Sequence, residues 1–233
     1  MISRNELVAL KYHHPRLSGS KSIRILELYP AELGSGEPLR GRLIDVSLNQ
    51  QPEYEALSYA WGSTDRVEEL HCGSKIIRIT RNCWQALRRL RLERRVRYLW
   101  IDSICIDQDN HQERNHQVGL MGDVYRQARC VLVWLGKGNE ETDAAVRYLE
   151  DVATKARAKS LRTLTLDVPL DRKIIKVMDH DNAVLEQLTS LFERTWFKRV
   201  WPVQEIALSR RCRLLSGGSS ISLADFMSAL GCL

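Results

Sequence analysis

No two cysteines in this 233-residue chain stand in a CxxC arrangement, and no repeat or low-complexity tract interrupts it. No apolar run reaches the roughly 18 residues that a membrane span needs. The six cysteines (Cys72, Cys83, Cys105, Cys130, Cys212, Cys232) are scattered, several inside apolar runs where a free thiol behaves as a small hydrophobe. That argues against a zinc ribbon and for a reducing compartment. Charged and polar residues follow Met1 in place of a hydrophobic signal core, so the reading is cytosolic or nuclear, with the cytoplasm as the assignment.

Positive charge is in excess: 35 lysines and arginines stand against 29 acidic residues, for a net charge of +6. Arg88, Arg89, Arg91, Arg94, Arg95 and Arg97 concentrate it, which brings nucleic acid and anionic membrane surfaces into consideration. Trp84, Leu87, Leu90 and Leu92 interleave with these arginines at near-helical spacing, the pattern of an amphipathic helix with a solvated basic side. Nucleic-acid binding is therefore the lesser reading.

Ser22 to Tyr29 alternates apolar and charged residues, as does Leu39 to Leu48. The Gly34-Ser35-Gly36-Glu37-Pro38 turn between them predicts a β-hairpin. Tyr54 to Tyr59 reads as a third strand running into Ala60-Trp61-Gly62, and Glu69 to Ile79, with Gly73-Ser74 at its centre, as a second hairpin. Thr80 or Asn82 can cap a helix over 83–92. The strand Tyr98-Leu99-Trp100-Ile101 then stops at Asp102 and hands over to a polar loop, and a helix follows over 112–128. Cys130 to Leu135 is an unbroken apolar run ending at Gly136-Lys137-Gly138, as expected of a strand buried on both faces, and helical periodicity resumes over 142–153. Residues 154–181 show little period and read as a partly helical insertion. Segments 185–192 and 200–208 are helical, Cys212 to Leu215 pairs with Ile221 around Gly217-Gly218, and Asp225 begins a last helix. The chain ends inside that helix, as an excised domain or a short protein would. A single domain over 1–233 is expected, with hairpins and a first core strand (22–80), central βα units (81–153), a variable insertion (154–182) and a C-terminal helix and strand block (183–233).

In open α/β sheets ligands sit beyond the carboxyl ends of strands, which makes Asp102 and Ser103 candidate site residues. Asp102, Asp107, Asp109 and Glu113, with His111 and His116 nearby, are donors of the kind that cations use. Their spacing fits neither an HExxH helix nor a calcium loop, and Asp107 and Asp109 read better as caps of the following helix, so no metal is assigned. Cys105 would need His111 or His116 as a base to act as a nucleophile; flanked by Ile104 and Ile106, it reads as an inert buried thiol. The Gly136-Lys137-Gly138 turn resembles phosphate-cradling loops without the full P-loop spacing. Ser58, Trp61 and Gly62 offer a hydroxyl, a ring and close backbone approach at a strand end, with Trp61 either stacking on a ligand or anchoring the core. Glu205 stands among Trp196, Phe197, Val200, Trp201 and Ile206, where a carboxylate either pairs with Arg199 or Arg194 or faces a pocket. Spacing leaves both open.

Three blocks carry a family resemblance: Tyr54-Glu55-Ala56-Leu57-Ser58-Tyr59-Ala60-Trp61-Gly62; Leu99-Trp100-Ile101-Asp102-Ser103-Ile104-Cys105-Ile106-Asp107-Gln108 with Glu113 to Val118 and Met121; and Trp196-Phe197-Lys198-Arg199-Val200-Trp201-Pro202-Val203-Gln204-Glu205. In order, wording and spacing they resemble the signature blocks of the fungal heterokaryon-incompatibility (HET) domain, over roughly residues 23 to 221. Pro202 departs from the apolar or small residue usual at its position. The resemblance implies an effector of programmed cell death in fungal non-self recognition, joined to a sensor or regulatory protein and prone to self-association. HET domains are regarded as distant relatives of TIR domains. That implies an α/β, TIR-like (flavodoxin-like), mainly parallel sheet flanked by helices, with the N-terminal β-hairpins added. By the same analogy Glu205 is the carboxylate that supports cleavage of NAD⁺ or a related nucleotide, as substrate and not as cofactor. Trp61 or Trp201 would then stack on a ring, Ser58, Gly62, Asp102 and Ser103 would line the cleft, and Arg114, Arg199 or Lys137 would meet the phosphates. A non-catalytic assembly module is the main alternative, and a nuclease the third.

Overall fold

The computed structural model describes residues 10–32, 34, 36–163, 182–199 and 202–232, with the backbone alone for 159–163 and 202–204. These residues group into two units: one holds the described residues up to Leu57 and from Trp61 to Arg129, the other Ser58–Ala60 and the described residues from Cys130 onward.

In the first unit, β1 (Leu10–Lys11) is a short edge, and β2 (Ser22–Leu28) and β3 (Leu39–Ser47) form the predicted hairpin, in register from Ser22 opposite Ser47 to Leu28 opposite Gly41. Next comes β4 (Glu55–Tyr59). The second predicted hairpin, β5 (Glu68–Cys72) and β6 (Lys75–Ile79), turns at Gly73, whose φ of +64° favours glycine. Helix α1 (Arg81–Leu90) starts where the Thr80 hydroxyl accepts the Cys83 N–H, so of the two predicted caps Thr80 is the one used. Strand β7 (Arg97–Trp100) runs antiparallel to β2 and parallel to β4, with Leu99 opposite both Leu26 and Glu55. The hydrogen-bonded order in this unit is β1-β6-β5-β3-β2-β7-β4. Its core is apolar and tight, with Ile23, Leu26, Leu39, Leu70, Leu87, Leu99 and Trp100 fully buried.

Two local expectations change after β7. The polar loop begins as a one-turn helix, α2 (Asp102–Cys105), followed by α3 (His111–Gln127). Asn110 caps α3 by accepting the Glu113 N–H, whereas Asp107 accepts the Asp109 N–H within the turn and Asp109 bonds Lys11. The basic run is partly internal: Arg88 and Arg91 donate to the Glu37 carbonyl, and Arg97 pairs with buried Glu55 at 2.7 Å.

In the second unit, β8 (Cys130–Trp134) pairs parallel with β9 (Cys212–Ser216), which forms an antiparallel hairpin with β10 (Ser219–Ser222). Helix α4 (Glu140–Thr163) is longer than the predicted helix and runs into the segment read as an insertion; residues 164–181 lie outside the described residues. It is followed by α5 (Asn182–Phe192), a 3₁₀ turn at Thr195–Lys198, α6 (Pro202–Ala207) and α7 (Leu223–Leu230). Proline at the first position of α6 is where a helix tolerates it, because that N–H has no intrahelical acceptor. Ser222 caps α7, and Asp225 lies within its first turn. Helix α4 packs on α5, α7 and the β9–β10 hairpin.

The class is α/β: mixed β-structure flanked by helices, with parallel pairs at β4/β7 and β8/β9 and antiparallel hairpins added at the N-terminus. Strand β4 contributes Glu55–Leu57 to the first unit and Ser58–Tyr59 to the second. No helix of the described residues is long and apolar enough to cross a membrane.

Candidate active site

Every residue from Tyr54 to Ala60 is buried, so the hydroxyl of Ser58 needs partners inside the protein. It has two. Trp196 Nε1 lies 2.8 Å from Ser58 Oγ, and Ser58 Oγ also lies within hydrogen-bonding distance of Glu205 Oε2. An indole N–H can only donate, so the serine oxygen accepts from Trp196 and sends its single proton to the carboxylate. The result is a directed chain, Trp196 to Ser58 to Glu205, whose members are 6%, 1% and 5% exposed. Ser58 comes from β4, Trp196 from the 3₁₀ turn and Glu205 from α6. Among the bonds of Glu205 is the one from Ser58. Arg199 donates to the Tyr59 carbonyl, and Arg194 lies 3.3 Å from Thr142 Oγ1 and 3.4 Å from Asn139 Oδ1.

A carboxylate is costly to bury, and hydrogen bonds to charged groups recover part of that cost. A charged side chain in such a place needs a reason beyond packing, since apolar groups of similar volume would often be at least as stable.

The first unit holds a second constellation. Trp61 Nε1 donates to both oxygens of Asp102, at 3.1 and 3.3 Å, and the same carboxylate caps its own helix through the Ser103 N–H at 2.7 Å. Gln108 closes the turn by donating to the Asp102 carbonyl at 2.8 Å. Trp61 is half-buried and held at its edge by Asp102. Gly62 has φ +74°, a left-handed conformation that a side chain would strain.

The remaining predicted residues are dispersed. Arg114, in the first turn of α3, lies 2.9 Å from His111 Nδ1. Lys137 is exposed on the β8–α4 turn, where Asn139 and Thr142 satisfy each other's amides as a reciprocal cap of α4. Trp201 lies outside the described residues. Cys105 is buried, and burial pushes its thiol up to about 12, which fits an inert group.

Two residues escaped the sequence reading. Trp196 was visible as part of a block, yet nothing in its spacing marks it as the donor to Ser58. Arg24 sits mid-strand in β2 between buried isoleucines, and its side chain is 3% exposed. It grips Glu113 bidentately at 2.5 and 2.9 Å and donates to the Cys105 and Pro15 carbonyls, while Glu113 also accepts the Asp107 N–H at 2.8 Å. In an alternating strand Arg24 reads as a solvent-facing charge, so the local pattern gave no signal of its burial.

Comparison with known proteins places these residues in a common frame. The model of a family described as heterokaryon incompatibility protein (HET) matches residues 54–205, a span that starts beside Ser58 and ends on Glu205. Heterokaryon incompatibility protein 6, OR allele, of Neurospora crassa is 30% identical over 247 residues, covering 91% of this chain and 36% of that protein. The chain thus spans about a third of the length of this curated relative. No solved structure matches.

Proposed function

The chain belongs to the HET family, and from that premise we propose that it is a cell-death effector domain of fungal heterokaryon incompatibility which cleaves the nicotinamide–ribose bond of NAD⁺ or a related dinucleotide, with Glu205 as its catalytic carboxylate. The observation that carries this reading is the buried donor chain from Trp196 through Ser58 to Glu205. It draws on the first and third family blocks and ends on a buried carboxyl group.

The chemistry asks for little more. Hydrolysis breaks the bond between ribose C1′ and the pyridinium nitrogen, and the electron pair leaves with neutral nicotinamide. Water then adds to C1′ and a proton is released, giving ADP-ribose. Most glycosidases need a second carboxyl group to protonate a poor leaving group; a neutral leaving molecule needs none. One carboxylate beside the ribose stabilises the positive charge that develops on the sugar, and it does so more strongly in a dry site than in water. Ser58 acts as a positioning residue that fixes which carboxylate oxygen faces the protein. Arg199 donates one N–H to Tyr59 and, as a guanidinium, carries further donors suited to a diphosphate.

Glutamine is the informative substitution. Glu205→Gln keeps an acceptor for Ser58 and removes the charge, whereas alanine would strand the Ser58 proton and open a void. With purified protein and NAD⁺, wild type is expected to release nicotinamide. Glu205→Gln is expected to release none while losing no more than about 1–2 kcal/mol of stability. Nicotinamide release by Glu205→Gln at the wild-type rate would refute the assignment. Cell killing that survives the same substitution would favour a non-catalytic assembly module.

A further inference from the structure

The geometry points to a second ligand site, in the first unit and independent of Glu205: a pocket for a nucleotide carrying a diphosphate, lined by β1, the stretch that follows it, β6 and the segment after β7, with Arg66 on its rim. The segment after β7 leaves the carboxyl end of a strand with a parallel neighbour, a place where α/β proteins hold ligands. Arg66 belongs to the segment after β4, and Ser103 and Ile106–Asp109 to the segment after β7. Together with residues of β1 and β6 and the N-terminal segment, they line a cavity of about 350 Å³. Strand β6 is far from β7 in the hydrogen-bonded order, yet α2 packs against it, so the β-structure curls to enclose this space. The volume suits a ligand of mononucleotide size.

The lining divides by chemistry. Ile76, Ile77 and Ile106 are buried and apolar, and beside them the rings of Tyr12 and His14 meet edge to face at 5.3 Å. That side offers a surface for a flat heterocycle. The other side is cationic: Lys11, Arg66 and Arg78 face two carboxylates. Asp109 is bound by Lys11 at 3.2 Å, and Asp107 accepts the Asp109 N–H. Arg78 holds Glu69 at 3.0 Å. Arg66 is exposed and has no hydrogen bond or ion pair among the described residues, although its field already reaches Asp109. A guanidinium on a cavity rim without a carboxylate of its own is suited to a bidentate grip on phosphate oxygens.

The pocket of about 310 Å³ at the amino ends of β4 and β7 is also rich in arginine, but Arg97 and Arg129 there both hold the Glu55 carboxylate, at 2.7 and 3.3 Å. Arg95 stands exposed beside them, so the two cavities differ in the isoleucine wall and not in carrying an arginine without a carboxylate among the described residues.

Calorimetric titration of the whole chain tests the proposal, with ADP, NAD⁺, adenosine and pyrophosphate as probes. ADP is expected to bind with a Kd below about 1 mM. Adenosine and pyrophosphate are each expected to bind at least about tenfold more weakly, because each lacks one half of the recognised group. Arg66→Ala should weaken ADP about tenfold and Arg66→Glu should abolish binding, with high salt acting in the same direction. Arg95→Ala, which removes the same charge from the other cavity, should leave ADP binding unchanged. In the Glu205→Gln background, NAD⁺ binding as tightly as ADP and weakened equally by Arg66→Ala would identify a dinucleotide as the occupant of this pocket; NAD⁺ binding that is weaker than ADP would identify a mononucleotide. Glu205→Gln should bind ADP as wild type does, so loss of hydrolysis and loss of this site are separate results. No ADP binding below about 1 mM, or equal binding by wild type and both Arg66 variants, overturns the proposal.

Discussion

Arg24 and Glu113 form a buried ion pair in the first unit, where loss of one partner is costly. Arg24, its side chain 3% exposed, donates two hydrogen bonds to Glu113, 12% exposed, and the pair also ties down the chain from Cys105 to Asp107. Removing one member leaves a buried charge alone, so Arg24→Met is expected to cost about 3–5 kcal/mol. The double variant Arg24→Met with Glu113→Leu should recover part of that loss, but not the bonds to the Cys105 carbonyl and Asp107 N–H. Glu113 also sets a pH dependence. Burial by itself would raise its pKa, but the Arg24 hydrogen bond, the Asp107 N–H and the Arg24 charge outweigh burial, and the net direction is downward from 4.5. A carboxylate whose folded pKa is lowered adds stability that is fully present above its unfolded pKa and disappears as pH falls through the folded value. Melting temperature should therefore decline more steeply below about pH 4.5 in wild type than in Glu113→Gln. Parallel acid limbs in the two proteins would assign the acid sensitivity to other groups.

At the level of elements, sequence patterns gave the hairpins because alternation and turn glycines are local signals. Register has its own local constraint at Gly41: a Cβ there would meet the Glu27 carbonyl oxygen at 2.5 Å and Leu26 Cδ1 at 2.9 Å. Gly41→Ala should cost about 1–3 kcal/mol through overpacking of the β2–β3 pair, read as a lower denaturation midpoint. A midpoint equal to wild type would mean that this pair is looser than its register implies. What the pattern could not supply was non-local. Nothing local says that β7 pairs with β2 as well as β4, or that β1 lies against β6. Cap choice was ambiguous because Thr80 and Asn82, or Asp107, Asp109 and Asn110, all have the right chemistry, and a two-residue shift decides which oxygen reaches the amide. The candidate site was half legible. Family blocks singled out Ser58, Asp102 and Glu205, but the bond between Ser58 and Glu205 joins residues 147 apart, a distance over which spacing carries no geometry.

For the molecule as a whole, burial of Glu205 sets a condition on activity. A substrate ribose must touch the carboxylate, yet Glu205, Ser58 and Trp196 are nearly closed to solvent. If Glu205 is the catalytic carboxylate, the proposed hydrolysis requires a second conformation that exposes it. Such a state is rare in a stable protein unless something binds it preferentially, and on the proposed reading a second copy of the same chain is the simplest such binder. If self-association selects the open state, nicotinamide release per chain rises with protein concentration. The total rate then climbs more steeply than the first power of concentration until assembly saturates. Measurement over a wide dilution series, with sedimentation on the same samples, should place the rise in specific activity at the concentrations where larger species appear. Wild-type activity that is constant per chain down to dilutions where only monomer sediments would show that opening occurs within one chain, and assembly would then have no part in catalysis.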